Sequence, residues 1–240
     1  MSYAVWQILR CPRHPDRGHL RVSHAGGTSR GAAPSEGRLE CGECGLVFPV
    51  VRGVIDMVSP LLLNDPTPFL QNESRQWDEH ASRYDEARLK DVTYMSCIRA
   101  GLRALGPRRG EWVLDAGCGT GLGTRLLDRT GVSTIALDLS LASLERLLAN
   151  LPQPGVPCVR ADISRLPFAN DVFDRLICAN TLQHVPTWDL RRRCIEQFAR
   201  VVRPGGTVVV TAHGFSASKR RAGWSKEGSA AIGYGTADCV

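Results

Sequence analysis

Glu111-Trp-Val-Leu-Asp115 is a short, mainly apolar run that passes directly into Ala116-Gly117-Cys118-Gly119-Thr120-Gly121 and then into a helical pattern from about Leu122 to Arg129. A strand, a glycine loop and a helix in that order form the ligand-facing corner of an open α/β sheet, with backbone N–H groups directed at whatever sits there. The spacing narrows the ligand. Dinucleotide sites read G-x-G-x-x-G, whereas here position 122 is Leu and the third glycine comes one residue early; the lysine of a P-loop is also missing. Asp115 at the strand tip would repel a phosphate and favour a cationic or amino-bearing ligand. A second strand, Ser133 to Leu137, ends at Asp138, where an acid can accept hydrogen bonds from both hydroxyls of a ribose. Asp138 also reads as a cap for the helix that begins near Ser140.

Downstream, the strand Arg175 to Ala179 empties into Asn180-Thr-Leu-Gln-His184-Val-Pro186, at the carboxyl edge where parallel sheets hold ligands. Asn180 is counted with the ligand-binding residues. His184, with its near-neutral ordinary pKa, is the candidate base, or else it anchors the loop. Asn180-Thr-Leu-Gln183 is not the Asp/Asn-Pro-Pro-Tyr run associated with exocyclic base amines, and Cys178 and Cys194 fall at core positions of a strand and a helix. A helix from Asp189 to Val202 leads through Pro204-Gly205-Gly206 into a fifth strand, Thr207 to Ala212. Upstream, Trp77, Ala81 and Tyr84, then Met95, Ile98, Leu102 and Leu105, recur at spacings of three and four, which predicts two amphipathic helices closed by Gly106-Pro107. Ser59 to Ser74 carries Pro60, Pro66 and Pro68 and reads as a linker.

Before that linker, Cys11-Pro-Arg-His14 and Cys41-Gly-Glu-Cys44 form two half-sites separated by 26 residues. Two hairpin turns would bring four soft ligands round one metal, a Cys3His set typical of structural zinc. His19 and His24 compete with His14 for the fourth position, because Pro15 cannot donate the N–H that a metal knuckle uses. Short alternating runs at His19 to Ser23, Arg38 to Glu40 and Leu46 to Val51 read as the strands of a small ribbon. The whole chain has 240 residues, 43% hydrophobic and 22% charged, with a net charge of +6, which excludes collagen, a wholly disordered chain and a small disulfide scaffold. Nine cysteines without an export signal argue against a disulfide framework, and the cytoplasm is the expected location. No apolar run spans a bilayer, so no membrane partner is expected.

Two resemblances rest on these residues. Leu9-Arg-Cys11-Pro12, Leu39-Glu-Cys41-Gly-Glu-Cys44-Gly45, Phe48-Pro49 and Gly53-Val-Ile-Asp-Met57 resemble the Trm112-like zinc-ribbon domain. Val113 to Gly121, Ala136-Leu-Asp-Leu-Ser140, Ala161-Asp162-Ile163 with Leu166-Pro-Phe168, Phe173-Asp174 and Arg200 to Gly206 are similar to the successive motifs of class I S-adenosylmethionine-dependent methyltransferases. That second resemblance implies that Gly117, Gly119 and Gly121 admit the methionine portion of the cofactor, that Asp115 lies near its amino group and that Asp138 holds the ribose. It further implies that Asp162 accepts from the adenine amino group, with Leu139 and Ile163 on the ring. Tyr84 matches a lead-in position that covers the cofactor, and reads equally as a core aromatic.

The expected architecture is α/β: a Rossmann-like methyltransferase sheet over 75–212, a zinc ribbon over 1–58, a linker over 59–74 and an irregular tail over 213–240. A class I methyltransferase adds a helix and two strands after strand five, which takes roughly 45 to 60 residues. Only 28 follow Ala212, so the sheet is expected to stop at its fifth parallel strand, leaving an edge for a protein partner or a second copy. The expected activity is S-adenosylmethionine-dependent methyl transfer to a small-molecule acceptor. rRNA or tRNA methylation and a truncated, non-catalytic binding protein are the alternatives.

Overall fold

A computed structural model describes residues 5–25, 36–64, 68–151 and 155–212. The N-terminal part contains α1 (Val5–Ile8) and four strands, β1 (Leu20–Ala25), β2 (Gly37–Cys41), β3 (Val47–Val51) and β4 (Val54–Asp56). Helices α2 (Ser59–Asn64), α3 (Pro68–Leu89) and α4 (Val92–Leu105) follow. The remainder alternates strand and helix: β5 (Trp112–Ala116), α5 (Thr124–Asp128), β6 (Ser133–Asp138), α6 (Leu141–Asn150), β7 (Cys158–Arg160), β8 (Phe173–Ala179), α7 (Trp188–Val201) and β9 (Val202–Thr211).

All nine strands belong to one sheet in the order β1-β2-β3-β4-β7-β6-β5-β8-β9. The five strands from β7 to β9 are parallel, as the alternating pattern predicts, with the chain reversing its direction of travel at β5. Pairing along the ribbon strands is antiparallel. The junction is β4, which lies parallel to β7 with Val54, Ile55 and Asp56 opposite Cys158, Val159 and Arg160. Strand β4 is buried at all three positions, because it is flanked by strands on both sides and covered on both faces.

The ribbon therefore shares a sheet with the parallel strands, and it shares a core as well. Leu9, Leu39, Phe48, Ile55 and Met57 pack in one cluster with Leu114, Ile135, Val159, Phe168, Phe173 and Phe198. The N-terminal segment adds backbone bonds, Arg10 N–H to Pro167 O at 2.9 Å and Ala169 N–H to Ile8 O at 2.9 Å. A Pro-rich linker over 59–74 does not describe what stands there: α2 and the first turns of α3 occupy most of it. Proline ends a helix from its interior but fits a first turn, where its missing N–H has no helical acceptor, and Pro68 opens α3. Among the described residues β9 has no strand on its outer side. The expected irregular tail, 213–240, lies outside the described residues. No helix among them is long and apolar enough to cross a membrane.

Candidate active site

The carboxyl ends of β5, β6, β7 and β8 surround a cavity of about 190 Å³, closed on its sides by α3, α4 and α7. Its floor is the glycine loop. Gly119 has φ of 54°, and a Cβ built there would meet nothing within 4 Å, so this residue presents bare backbone to the cavity. Gly117 and Gly121 serve packing instead: side chains there would run into Thr181 and Leu147 respectively. Gly117, Gly119, Asp138, Leu139, Asp162, Ile163, Asn180, Tyr84 and His184 all line the cavity.

Both aspartates in the cavity are held by backbone. Asp138 accepts from Gly119 N–H at 2.7 Å on one oxygen and from Ser140 N–H at 2.9 Å on the other, which ties the tip of β6 to the glycine loop. The cap of α6 is Ser140 itself, whose side chain accepts from Ser143 N–H. Asp138 keeps a further lone pair on each oxygen for a ligand. Burial pushes its carboxyl above the usual range, and the backbone bonds work against that shift. Asp162 is fixed by Ser164, through N–H at 2.8 Å and Oγ at 2.7 Å. Asn180 stands at the end of β8 with φ of 55°, a left-handed conformation that asparagine tolerates. Its carboxamide is buried beside Tyr94, yet neither polar atom makes a hydrogen bond of acceptable geometry among the described residues. Such a group in a cavity wall is prepared for a ligand.

Two expected ligand residues stand behind the wall. Gly121 packs under α6, and Asp115 turns away from the cavity to accept from Thr124 Oγ1 at 2.7 Å. Asp115 is 3% exposed, and burial pushes its carboxyl up to about 6, with Asp138 adding to the shift. A raised carboxyl pKa means that the folded chain holds the proton more tightly than the unfolded one. Stability from this group is therefore lost as pH rises from about 4 to about 6, by about 2 to 3 kcal/mol in all. Asp115→Asn is expected to stabilise the ligand-free protein at pH 7 by about that amount and to be nearly neutral at pH 4. Denaturant titrations at the two pH values check this, and an equal effect at both would refute it.

Helix α3 straps two of the site's loops and the end of α6. Asp78 accepts from Ser140 Oγ at 2.6 Å and Ala142 N–H at 3.1 Å. Asp85 accepts from Thr120 Oγ1 in the glycine loop and from Asn150 Nδ2 at 3.0 Å. Ser74 is bonded to the loop after β6. Reasoning from apolar spacing missed these residues, although Ser74, Asp78, Ala81 and Asp85 recur at four, three and four, the same helical signal written in small and polar side chains. Tyr84 is half-buried, with its hydroxyl 2.9 Å from that of Tyr94, a cavity residue that the sequence reading did not single out. At the mouth, the exposed His184 ring meets Trp77 edge-on, with centroids 4.9 Å apart. The buried Arg191 donates to the carbonyls of Val185 at 2.7 Å and Gln183 at 3.4 Å, gripping the chain on both sides of His184.

At the ribbon end, Cys11, His14, Cys41 and Cys44 bring their ligand atoms within 4.8 Å of one another. Cys11 Sγ is 3.9 Å from Cys44 Sγ, and Cys41 Sγ is 3.9 Å from His14 Nδ1. His14 thus joins the cluster and His19 does not; His19 pairs through its backbone with Arg10. The side chain of His24 lies outside the described residues.

A parallel sheet with a G-x-G-x-G corner, an acid at the tip of each of the next two strands and a cavity between them is the arrangement of a Rossmann-like methyltransferase fold. Residues 114–210 match the family model described as a methyltransferase domain. Demethylmenaquinone methyltransferase of Mycolicibacterium paratuberculosis is 38% identical over 107 residues, which are 45% of this chain and 44% of that protein. The enzyme of the same name from Clavibacter sepedonicus is 34% identical over 142 residues, 57% of this chain and 56% of its own. The chain thus spans about half the length of the curated relatives it matches. Among solved structures, the complex between the Haloferax volcanii Trm112 methyltransferase activator and a methyltransferase provides a chain with TM-score 0.50 and 24% identity. That match covers 57% of this chain and 59% of the other, a likeness of fold alone.

Proposed function

We propose that this protein transfers the methyl group of S-adenosylmethionine to a small-molecule acceptor, and that its ribbon holds one structural zinc ion. The observation that carries the reading is the convergence of bare Gly119 backbone, Asp138, Asp162 and the unsatisfied Asn180 carboxamide on a single cavity. When bound, the cofactor supplies a sulfonium methyl, an electrophile that needs alignment more than activation. The chain's own residues provide that alignment. Asp138 offers its remaining lone pairs to the ribose, Asp162 accepts from the adenine amino group between Leu139 and Ile163, and Asn180 offers both a donor and an acceptor near the methionine portion.

The outer wall is formed by Trp77, Val185 and Leu190, with Arg193 beside them, which suits a compact, largely apolar acceptor. The names of the relatives also favour a small-molecule acceptor. His184 at the mouth would take the acceptor's proton. His184→Ala is expected to lower kcat by about a hundredfold for an acceptor that must lose a proton, with little change in the KM of the cofactor. Unchanged kcat would leave His184 as a loop anchor.

For the metal, a tetrahedron with Zn–S bonds of about 2.3 Å has S–S edges of about 3.8 Å, and the Cys11–Cys44 separation of 3.9 Å is close to this. Four protein ligands leave no open position, so the ion would act on folding and not on the reaction. The deciding experiment for the acceptor supplies labelled cofactor to a cell lysate and separates RNA, protein and small molecules. Label in the small-molecule fraction supports the proposal. Label confined to RNA, which the charge of +6 would suit, refutes it.

A further inference from the structure

Arg160 occupies the last position of β7, opposite Asp56 of β4 on one side and Asp138 of β6 on the other. The ribbon, the parallel sheet and the ribose acid thus end in one row across three strands. The Arg160 guanidinium, 8% exposed, is the hub of that row. One terminal nitrogen donates to Asp56 Oδ2 at 2.9 Å and to Ser59 Oγ at 2.8 Å, and the other donates to Ser74 Oγ at 2.9 Å. Its Nε donates to the carbonyl of Leu139 at 3.1 Å. Leu139 lines the cavity immediately after Asp138. Asp56 is itself locked, since its Oδ1 accepts from Val58 and Ser59 N–H, both at 2.9 Å, and its Oδ2 from Ser59 Oγ at 2.6 Å.

We propose that Arg160 is a positioning residue through which the ribbon sets the cofactor cavity: the Asp56 carboxylate holds the guanidinium that fixes the Leu139 carbonyl, and so the segment Asp138–Ser140. A buried guanidinium needs a charge partner, and its planar fork can satisfy several acceptors at once only in a fixed orientation. Asp56 supplies both the charge and the orientation, from the ribbon side. The mobility of the 138–140 loop then depends on a strand that belongs to the metal-bearing end of the molecule. This inference rests on reading the cavity as the S-adenosylmethionine site.

The test uses the full chain, with S-adenosylhomocysteine as the calorimetric probe and amide hydrogen exchange as the second readout. Asp56→Asn removes the charge but keeps an acceptor for Val58 and Ser59, whereas Ser59→Ala removes the two hydrogen bonds of Ser59 Oγ, one from Arg160 and one to Asp56, and leaves the ion pair. The expected result is about tenfold weaker binding for Asp56→Asn and about threefold for Ser59→Ala. Exchange should quicken in peptides covering 138–142, while β5 stays as protected as in the wild type. Cofactor KM should rise with kcat nearly constant, a split that general loss of folding would not give. Wild-type affinity and wild-type exchange in both variants would overturn the proposal; if Asp56→Asn fails to fold, Ser59→Ala decides alone. Failure of the wild type to bind the probe would instead overturn the reading of the cavity, and exchange at 138–142 in ligand-free protein would still decide the coupling.

Discussion

Cys44→Ser is expected to yield a chain without zinc that has lost its cooperative unfolding transition, in the ribbon and in the parallel sheet alike. Cys44 is exposed, so the substitution would remove a proposed zinc ligand while leaving the apolar packing intact. Structural zinc contributes roughly 10 to 16 kcal/mol of apparent binding energy in small zinc domains, which is as large as the about 5 to 15 kcal/mol that stabilises a whole domain. A ribbon standing apart from the rest would confine the damage to itself, and the linker expected over 59–74 pointed that way. The pairing of β4 with β7 and the shared core of Phe48, Ile55, Phe168 and Phe198 remove that insulation. Losing β4 would strip the edge of β7 and open the packing beneath it. Near-ultraviolet circular dichroism with metal analysis checks the expectation; full retention of the wild-type melting transition in zinc-free Cys44→Ser protein would contradict it.

Gly119→Val is expected to abolish cofactor binding, weakening it by more than about a hundredfold. Two effects act in the same direction. A β-branched residue is strained at φ of 54°, at a cost of about 1 to 3 kcal/mol, which would move the loop away from Asp138, to which Gly119 N–H now donates. The new methyl groups would also project into the open space in which the ligand is proposed to lie. Gly119→Ala carries the smaller strain and the smaller side chain, and should bind at an intermediate level. Calorimetry on the three proteins, with circular dichroism to confirm folding, separates the effects; binding by Gly119→Val at the wild-type level would place the ligand elsewhere.

Much of this site could be read from local patterns, because its physics is local. The glycine loop, Asp138 and Asp162 sit at fixed offsets from short apolar runs, and a strand tip in a parallel sheet points to the ligand edge whatever lies around it. The Cys/His cluster was legible for a similar reason: paired half-sites specify a turn each, and only the choice between His14 and His19 needed coordinates. What stayed hidden depends on residues far apart in the chain. Val54-Ile-Asp56 is three residues long and carries no turn or alternation that names its partner, and its partner β7 is reached only through long-range parallel pairing. Arg160 carries no sequence signal of its own, and nothing near it in the chain announces Asp56. The strap formed by α3 was half visible, since the apolar spacing marked the helix but its working face is polar. Asp115 shows the opposite error: its place at a strand tip was right, but side chains alternate along a strand, and this one faces α5.

The cavity at the ends of β5 to β8 is proposed to be an S-adenosylmethionine site built on Asp138. The most direct measurement is a calorimetric titration of the wild-type protein and of Asp138→Ala with S-adenosylhomocysteine. The account requires one site per chain in the wild type and at least about tenfold weaker binding in the variant, since each hydrogen bond to a charged group is worth about 1.5 to 3 kcal/mol. Equal affinity in the two proteins, or no binding by the wild type, would contradict it.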